Sequence, residues 1–550
     1  MRSRVGARLG VAALAALPLA TLAVFFVLPV AGMLAQGFWS EGRFDPAGVL
    51  SVLGGAGLHR VLWFTLWSAS VATLLTVLLG LPVTFVLHRL RFAGRRALRA
   101  FVVMPFVLPT VVVGVAFRTL LTSAGPLGFL GLDGTPAAII AAMVFFNIAV
   151  VVRTVGALWE GLDRRREEAA AALGASPRQV LRTVTLPALA PGIVSAASVV
   201  FLFCATAFGV VLTLGGLHYS TVETEIYLLT TQFLDLRSAA ALSILQLLVV
   251  TVLLALAQRT RARREQALGR VSARSATRSV RRADLPVLSV TAVVLVLLAA
   301  PLASLLVDSL RVDGGWTVQN YRALGGTGTG NALLVPVWTA LANSWRVAVD
   351  ATLLAMLLGL SVAVVVTRTP RGRRERRALG VLDNVFMLPL GVSAVTLGFG
   401  FLITLDQPPL DFRDSLLLVP IAQALVALPL VVRTLVPVLG GVDDRQRQAA
   451  ASRGAGPLRV FVTVDLPTMW RPLLAAAGFA FAVSLGEFGA TSFLARDDHP
   501  TLPIVIFHLI GHPGAMNYGM ALAASVVLAA CTAVVMLAVE QLRVPTVGAL

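Results

Sequence analysis

About a dozen apolar stretches, each close to or above 20 residues, punctuate this chain of 550 residues. A run of that length crosses a hydrocarbon core of about 30 Å, and inside such a core only helices or closed barrels satisfy the backbone. The stretches lie near 9–37, 62–87, 100–120, 136–157, 193–214, 238–257, 285–307, 346–367, 380–404, 415–439, 472–494 and 518–540. The expected class is an all-α membrane protein of about twelve transmembrane helices, six in each half. Composition agrees: 57% of residues are hydrophobic and 13% charged, against about 45–50% and about 25% in soluble domains.

A net charge of +18 would suit a nucleic-acid partner, but its placement argues against one. Arginines crowd alternate loops: five within 88–99, three within 164–166, nine within 259–282 and six within 368–377. The intervening loops carry acids instead, among them Asp133, Glu223, Glu225, Asp406 and Asp498. Arginine-rich loops stay in the cytoplasm, so both termini and the segment around 259–282 are expected to face inward. The basic charge sets topology and touches anionic lipid. The first apolar run continues to about Gln36, longer than the core of a secretion signal, so a retained span is expected. Cys204 and Cys531 both fall within predicted spans, which excludes a disulfide framework.

Two polar segments repeat one another. Val151-Val152-Arg153-Thr154 leads to Glu168-Ala169-Ala170, Gly174, Pro177 and Leu186-Pro187. Val431-Val432-Arg433-Thr434 leads to Gln448-Ala449-Ala450, Gly454, Pro457 and Leu466-Pro467, each 280 positions later. Such a constant offset marks a duplicated unit. Residues 1–258 are read as the first membrane domain, 259–284 as a cytoplasmic Arg-rich linker and 285–550 as the second domain. An even number of spans per half makes the repeats parallel. Their pseudo-twofold axis then lies along the membrane normal, with a pathway between the halves. Weaker echoes are Leu78-Leu79-Gly80-Leu81 with Leu357-Leu358-Gly359-Leu360, and Met104-Pro105 with Leu388-Pro389.

Each repeated loop reads as a short helix, a glycine corner and a second helix. Gly174 and Gly454 suit the left-handed residue that ends a helix, Ser176 offers an N-cap oxygen, and Pro177 and Pro457 suit a first helical position. The pattern resembles the cytoplasmic Glu-Ala-Ala loop of permeases in ATP-binding-cassette importers, and the chain resembles two such permease domains fused. That resemblance implies docking of two copies of an ATPase subunit, delivery by an extracytoplasmic substrate-binding protein, and a multi-pass position in the cytoplasmic membrane of a bacterium. No cofactor is expected on this chain, since ATP and Mg would belong to the ATPase. A phosphate-binding loop needs a lysine, and the chain contains none. One departure from the pattern is Gln448 at the family's glutamate position, with Arg447 where the first loop has Glu167.

Charged groups at membrane depth are costly and mark function. Glu487, within Gly486-Glu487-Phe488-Gly489, is such a group, and its repeat mate is Ala207. Two readings stand open for it, a pathway carboxylate for a cation or a bond that holds neighbouring helices. Asn147, Arg118 and Asp350 are weaker pathway candidates, the last two near span ends where they can snorkel. His499, His508 and His512 read as solvated loop residues and not as a metal site. Residues 203–216, followed by Glu223-Thr224-Glu225-Ile226-Tyr227, resemble fused thiamine permeases, as do 484–494 with Thr501-Leu502-Pro503. The fused architecture is shared with ferric-iron permeases. A secondary transporter is the rival class, but the paired loops argue against it. A membrane enzyme lacks any recognisable motif.

Overall fold

The computed structural model describes residues 14–40, 43–216, 218–268, 277–367, 373–386, 388, 392–406 and 411–542. Among them, ten helices are long and apolar enough to cross a membrane. Five belong to the first half: Leu14–Phe38, Gly57–Arg89, Pro136–Glu160, Pro177–Ala205 and Leu236–Leu253. Arg282–Ser309, Val337–Val366, Leu418–Gly440, Pro457–Leu485 and Ala515–Val539 follow in the second. An eleventh span is a broken one, Arg95–Val107 with Thr110–Leu121, bent by 103°. Pro109 follows the extended Leu108 at the bend, as expected of a ring that supplies no N–H and excludes the helical region before it. At the matching place in the second half stand Arg373–Phe386 and the eleven-residue Ala394–Thr404. About twelve spans were expected, and the third of the first half is a bent pair of helices. Pro389, part of the expected echo there, lies outside the described residues.

Two stretches expected as outward loops are helices. Val222–Thr231 and Leu502–Gly511 sit 280 positions apart and are largely buried. Ten residues escape a search for 20-residue runs, so neither was expected. Glu223, placed in an outward loop by its charge, is fully buried. His508 likewise lies on a helix and not in a loop.

The linker expected at 259–284 is also partly structured. The last helix of the first half runs from Leu236 to Leu268, while Arg270 and its neighbours lie outside the described residues. Arg278–Ser279 then pairs in parallel with Leu90–Arg91, and the Arg278 guanidinium donates to both oxygens of Asp284 at 2.7 and 2.6 Å. A strand of linker is thus stitched to the edge of the first half.

The halves interlock through their first helices. Leu22 and Phe26 of the first span share a core with Phe386, Phe401 and Leu418 of the second half. Gly400 passes so close to this span that a Cβ there would come within 2.9 Å of Pro29. Conversely, Val294 and Leu298 of Arg282–Ser309 join the core of the first half beside Val113 and Phe117. Outside this core, Leu74, Val296, Leu353 and Val534 stand exposed, an apolar perimeter suited to lipid.

Within each half the second and fourth spans cross on a glycine. A Cβ at Gly80 would meet Val151 at 2.9 Å, and one at Gly359 would meet Val431 at 2.5 Å. Val151 and Val431 are repeat mates, so the Leu-Leu-Gly-Leu echo encodes one crossing twice. Small residues permit this approach where lipid offers no hydrophobic drive, and the β-branched valine has little freedom to yield. Gly80→Ala and Gly359→Ala should each destabilise by about 1–3 kcal/mol. A lowered melting temperature in detergent would register this; Gly380→Ala, in a helix where a Cβ meets nothing within 4 Å, should not lower it.

Candidate functional site

Each repeated loop folds into the expected helix, corner and helix. Asp163 caps Arg164–Ala172 by accepting from the Arg165 N–H, and Asp443 caps Asp444–Ser452 by accepting from that of Arg445. Gly174 and Gly454 take φ values of +89° and +83°, the left-handed region that only glycine occupies cheaply. In the first loop Ser176 and Gln179 form a reciprocal capping box; Gly456 at the matching place has no side chain to do so. Glu168, Ala169, Gln448 and Ala449 lie on the exposed face, and Ala170 and Ala450 are half-buried. Leu173 and Leu458 at the corners are 90% and 77% exposed, an unusual position for leucine on a free surface.

The second helix of each loop does not stop at Leu186-Pro187 or Leu466-Pro467, as expected, but runs on through the membrane. Pro177–Ala205 and Pro457–Leu485 are each one span, interrupted only by five-residue π-turns at Leu181–Thr185 and Phe461–Asp465. Pro187 and Pro467 follow directly, and a wide turn absorbs the N–H that a proline cannot supply. Pro177 and Pro457 start these spans at the corner. The corner and a membrane helix are therefore one rigid rod.

Residues 167 and 185 brace the first corner, and their mates 447 and 465 brace the second with different chemistry. Glu167 accepts from the Thr185 hydroxyl at 3.0 Å and is paired with Arg89. Arg447 donates through Nε to Asp465 at 2.9 Å, through Nη1 to Asp444 at 2.9 Å and through Nη2 to the Leu439 carbonyl at 2.8 Å. The acid missing at 447 has reappeared at 465. Comparing Thr185 with Asp465 at the 280 offset would have found this.

At the other end of each rod, repeat mates meet. Phe208 and Phe488 stack with ring centroids 5.3 Å apart and an interplanar angle of 22°. A residue that touches its own symmetry mate lies on the axis that relates the two copies. Each ring is followed by a glycine pressed against a helix start: a Cβ at Gly209 would meet Thr110, and one at Gly489 would meet Ala394. Tyr227 packs on Phe208 at 5.4 Å and on Phe493 at 5.5 Å, and Phe507 packs on Phe488 at 5.4 Å. This aromatic plug fills the seam between the halves.

Glu487 sits directly before Phe488 and is buried. Its Oε1 accepts from the Ala490 N–H at 2.8 Å, and its Oε2 from the Thr491 N–H at 3.0 Å and the Thr491 hydroxyl at 2.5 Å. Thr491 in turn accepts from Gln423 at 3.0 Å. Both carboxylate oxygens are thus engaged in the turn beneath the plug. Asn147 lies elsewhere, within the first half, donating to the Met143 carbonyl at 2.9 Å and toward Cys204 Sγ at 3.4 Å. On the outward loop, the Arg496 guanidinium beside Asp498 holds that carboxyl below its ordinary range. Glu223, which its charge alone would put in an outward loop, is a second buried carboxylate at the seam, accepting from the Ser393 hydroxyl of the other half.

A family model, the inner membrane component of binding-protein-dependent transport systems, matches residues 76–265 and 355–543. The thiamine transport system permease protein of Brucella abortus is 28% identical over 506 residues, 88% of this chain and 90% of its own. That of Escherichia coli is 29% identical, over 82% of this chain and 84% of its own. The ferric transport system permease protein of Actinobacillus pleuropneumoniae is 25% identical, over 91% of this chain and 73% of its own. The two family matches, together more than half of the chain, coincide with its two repeats, and the protein belongs to the family of multi-pass inner membrane components of binding-protein-dependent transport systems.

Proposed function

We propose that this chain is the translocation subunit of an ATP-binding-cassette importer, that two copies of a separate ATPase subunit dock on its coupling loops, and that its substrate is thiamine. An extracytoplasmic binding protein delivers the substrate. Residues 1–258 and 285–550 act as paired permease domains joined by 259–284, with ATP and Mg held by the ATPase and none by this chain. The observation that carries the substrate assignment is the near end-to-end likeness to thiamine permeases, covering 88% of this chain and 90% of the Brucella relative. Ferric iron is the second reading, favoured by a match that spans 73% of the ferric permease.

The coupling follows from the rods. Leu173 and Leu458 on the exposed corners supply apolar contact to a groove in the ATPase, alongside Glu168 and Gln448. Movement of a corner tilts its rod, whose far end carries Phe208 or Phe488. Closure of the two ATPase subunits moves both corners together, and the rings part or meet. Glu487 keeps the turn beneath Phe488 in shape during that motion.

Proline fixes φ near −65° and cannot occupy the +89° and +83° corners. Gly174→Pro and Gly454→Pro should therefore reach the membrane normally yet lose thiamine uptake and the ATPase response to loaded binding protein. Uptake at the normal rate in both variants would refute docking through these loops. Arg447→Ala leaves the buried Asp465 without its cation and should weaken coupling, at a cost of about 1–3 kcal/mol to the loop. Combining it with Asp465→Thr, which restores the hydroxyl of the first loop, should recover part of the loss.

Orientation is checked with single cysteines and an impermeant thiol reagent on intact cells. Ser176→Cys and Ser452→Cys should both be protected, while Asp133→Cys and Asp498→Cys should react. Protection of one loop with reaction of the other would mean inverted halves.

A further inference from the structure

The thiamine reading leaves open how the membrane path recognises its cargo, and the seam contains one group that the coupling mechanism does not use. Glu223 is fully buried in the first turn of Val222–Thr231. Its two oxygens face different halves of the molecule. Oε1 accepts from Gln246 of the first half, and Oε2 accepts from the Ser393 hydroxyl of the second half at 2.9 Å. Ser393 also receives the Thr396 N–H at 3.0 Å, capping Ala394–Thr404, and Thr396 reaches Gln246 at 3.5 Å. Among the described residues no arginine or histidine is paired with this carboxylate, and all its partners are neutral. Burial of an acid with neutral partners alone is costly, so a purely structural bridge would be met more cheaply by an amide.

The arrangement is one-sided. At the 280 offset Glu223 maps to Pro503 and Gln246 to Val526, so the second half carries no counterpart. One helical turn beyond Glu223, on the same face, stands Tyr227, which bridges Phe208 and Phe493. Phe208 in turn stacks on Phe488. A carboxylate and four aromatic rings therefore share the seam along which any solute passing between the halves must travel.

We propose that Glu223, with the rings of Phe208, Tyr227, Phe488 and Phe493, forms a recognition site in the membrane path for an organic cation that carries an aromatic ring. In the conformation seen here the site is covered, because Ser393 caps Oε2 and the rings fill the seam. When the halves part, Ser393 leaves with the second half and Oε2 loses its partner, while the ring faces separate. A flat cation entering at that moment replaces the serine at the carboxylate and the aromatic contact at the rings, and cation–π attraction strengthens where water is excluded. Ring closure behind it returns Ser393 to Oε2 and ejects the cargo. One carboxylate among rings suits an organic cation far better than ferric ion, which takes several hard oxygen ligands.

This inference rests on thiamine as substrate, and the test separates the two. The full complex, purified with its ATPase and supplied with its binding protein, is reconstituted in vesicles, and labelled thiamine uptake is measured beside ATP hydrolysis. Glu223→Gln keeps shape and hydrogen bonding but removes the charge; it should assemble, retain binding-protein-stimulated ATP hydrolysis within about twofold, and carry about tenfold less thiamine per ATP, a ratio equal to about 1.4 kcal/mol. Glu223→Asp should recover part of the uptake. Tyr227→Leu should also lower thiamine carried per ATP, whereas Tyr227→Phe, which keeps the ring face, should not. Unimpaired uptake by Glu223→Gln in a complex that carries thiamine would overturn the inference alone, as would parallel loss of ATP hydrolysis and uptake in both Glu223 variants. A wild-type complex that carries ferric ion and no thiamine would overturn the substrate reading and this site with it.

Discussion

The stacking of Phe208 on Phe488 is the contact to which the rest of the molecule is geared. These rings are repeat mates, and their meeting at 5.3 Å places them on the pseudo-twofold axis that relates the halves. Everything else is arranged around that axis: the helices Thr110–Leu121 and Ala394–Thr404 against which Gly209 and Gly489 press, the short helices Val222–Thr231 and Leu502–Gly511, and the exchanged first helices. Backbone can leave regular helix at this depth only where protein covers it. The break at Pro109 accordingly lies at the seam, where Gly486 of the second half packs against it.

In the proposed mechanism the rods connect this centre to the cytoplasmic corners. A rigid corner at one end and an aromatic ring at the other make a lever of Pro177–Ala205, and Pro457–Leu485 repeats it. The braces at the two corners differ in charge while doing one task. Glu167 with Thr185 and Arg89 holds the first corner, and Arg447 with Asp465 holds the second. Duplication followed by divergence permits such an exchange, because the requirement is a satisfied polar pair and not a particular sign of charge. The interlocked first helices keep the two levers in register, since neither half can shift without displacing a span packed on the other.

Most of this architecture was legible in the sequence because it is written in long apolar runs and in a constant offset. The repeated loops were legible down to the glycine φ, since a left-handed corner, an N-cap serine and an N1 proline each have local chemical causes. What escaped was tertiary. Val222–Thr231 and Leu502–Gly511 are too short for a span-length window, so Glu223 was read as a solvent-facing loop acid when only packing could reveal its burial. Asn147 was a pathway candidate by polarity, yet it bonds to Cys204 inside one half. Glu487 stood out in the sequence as a charge inside an apolar span, and the structure buries it. Its engagement with Ala490 and Thr491 depends on a turn that no periodicity predicts. The exchange at 465 was visible in principle, since it requires only that both members of a contact be compared across the repeat.

The most direct measurement concerns the axis itself. Phe208 and Phe488 are replaced by cysteine in a background lacking Cys204 and Cys531, and the resting complex is treated with a short bifunctional thiol reagent. If mates meet on a parallel pseudo-twofold axis and part during transport, the chain cross-links internally at rest, uptake ceases, and turnover with ATP and loaded binding protein lowers the cross-linking rate. Absence of cross-linking at rest, or full uptake by the cross-linked protein, would contradict it.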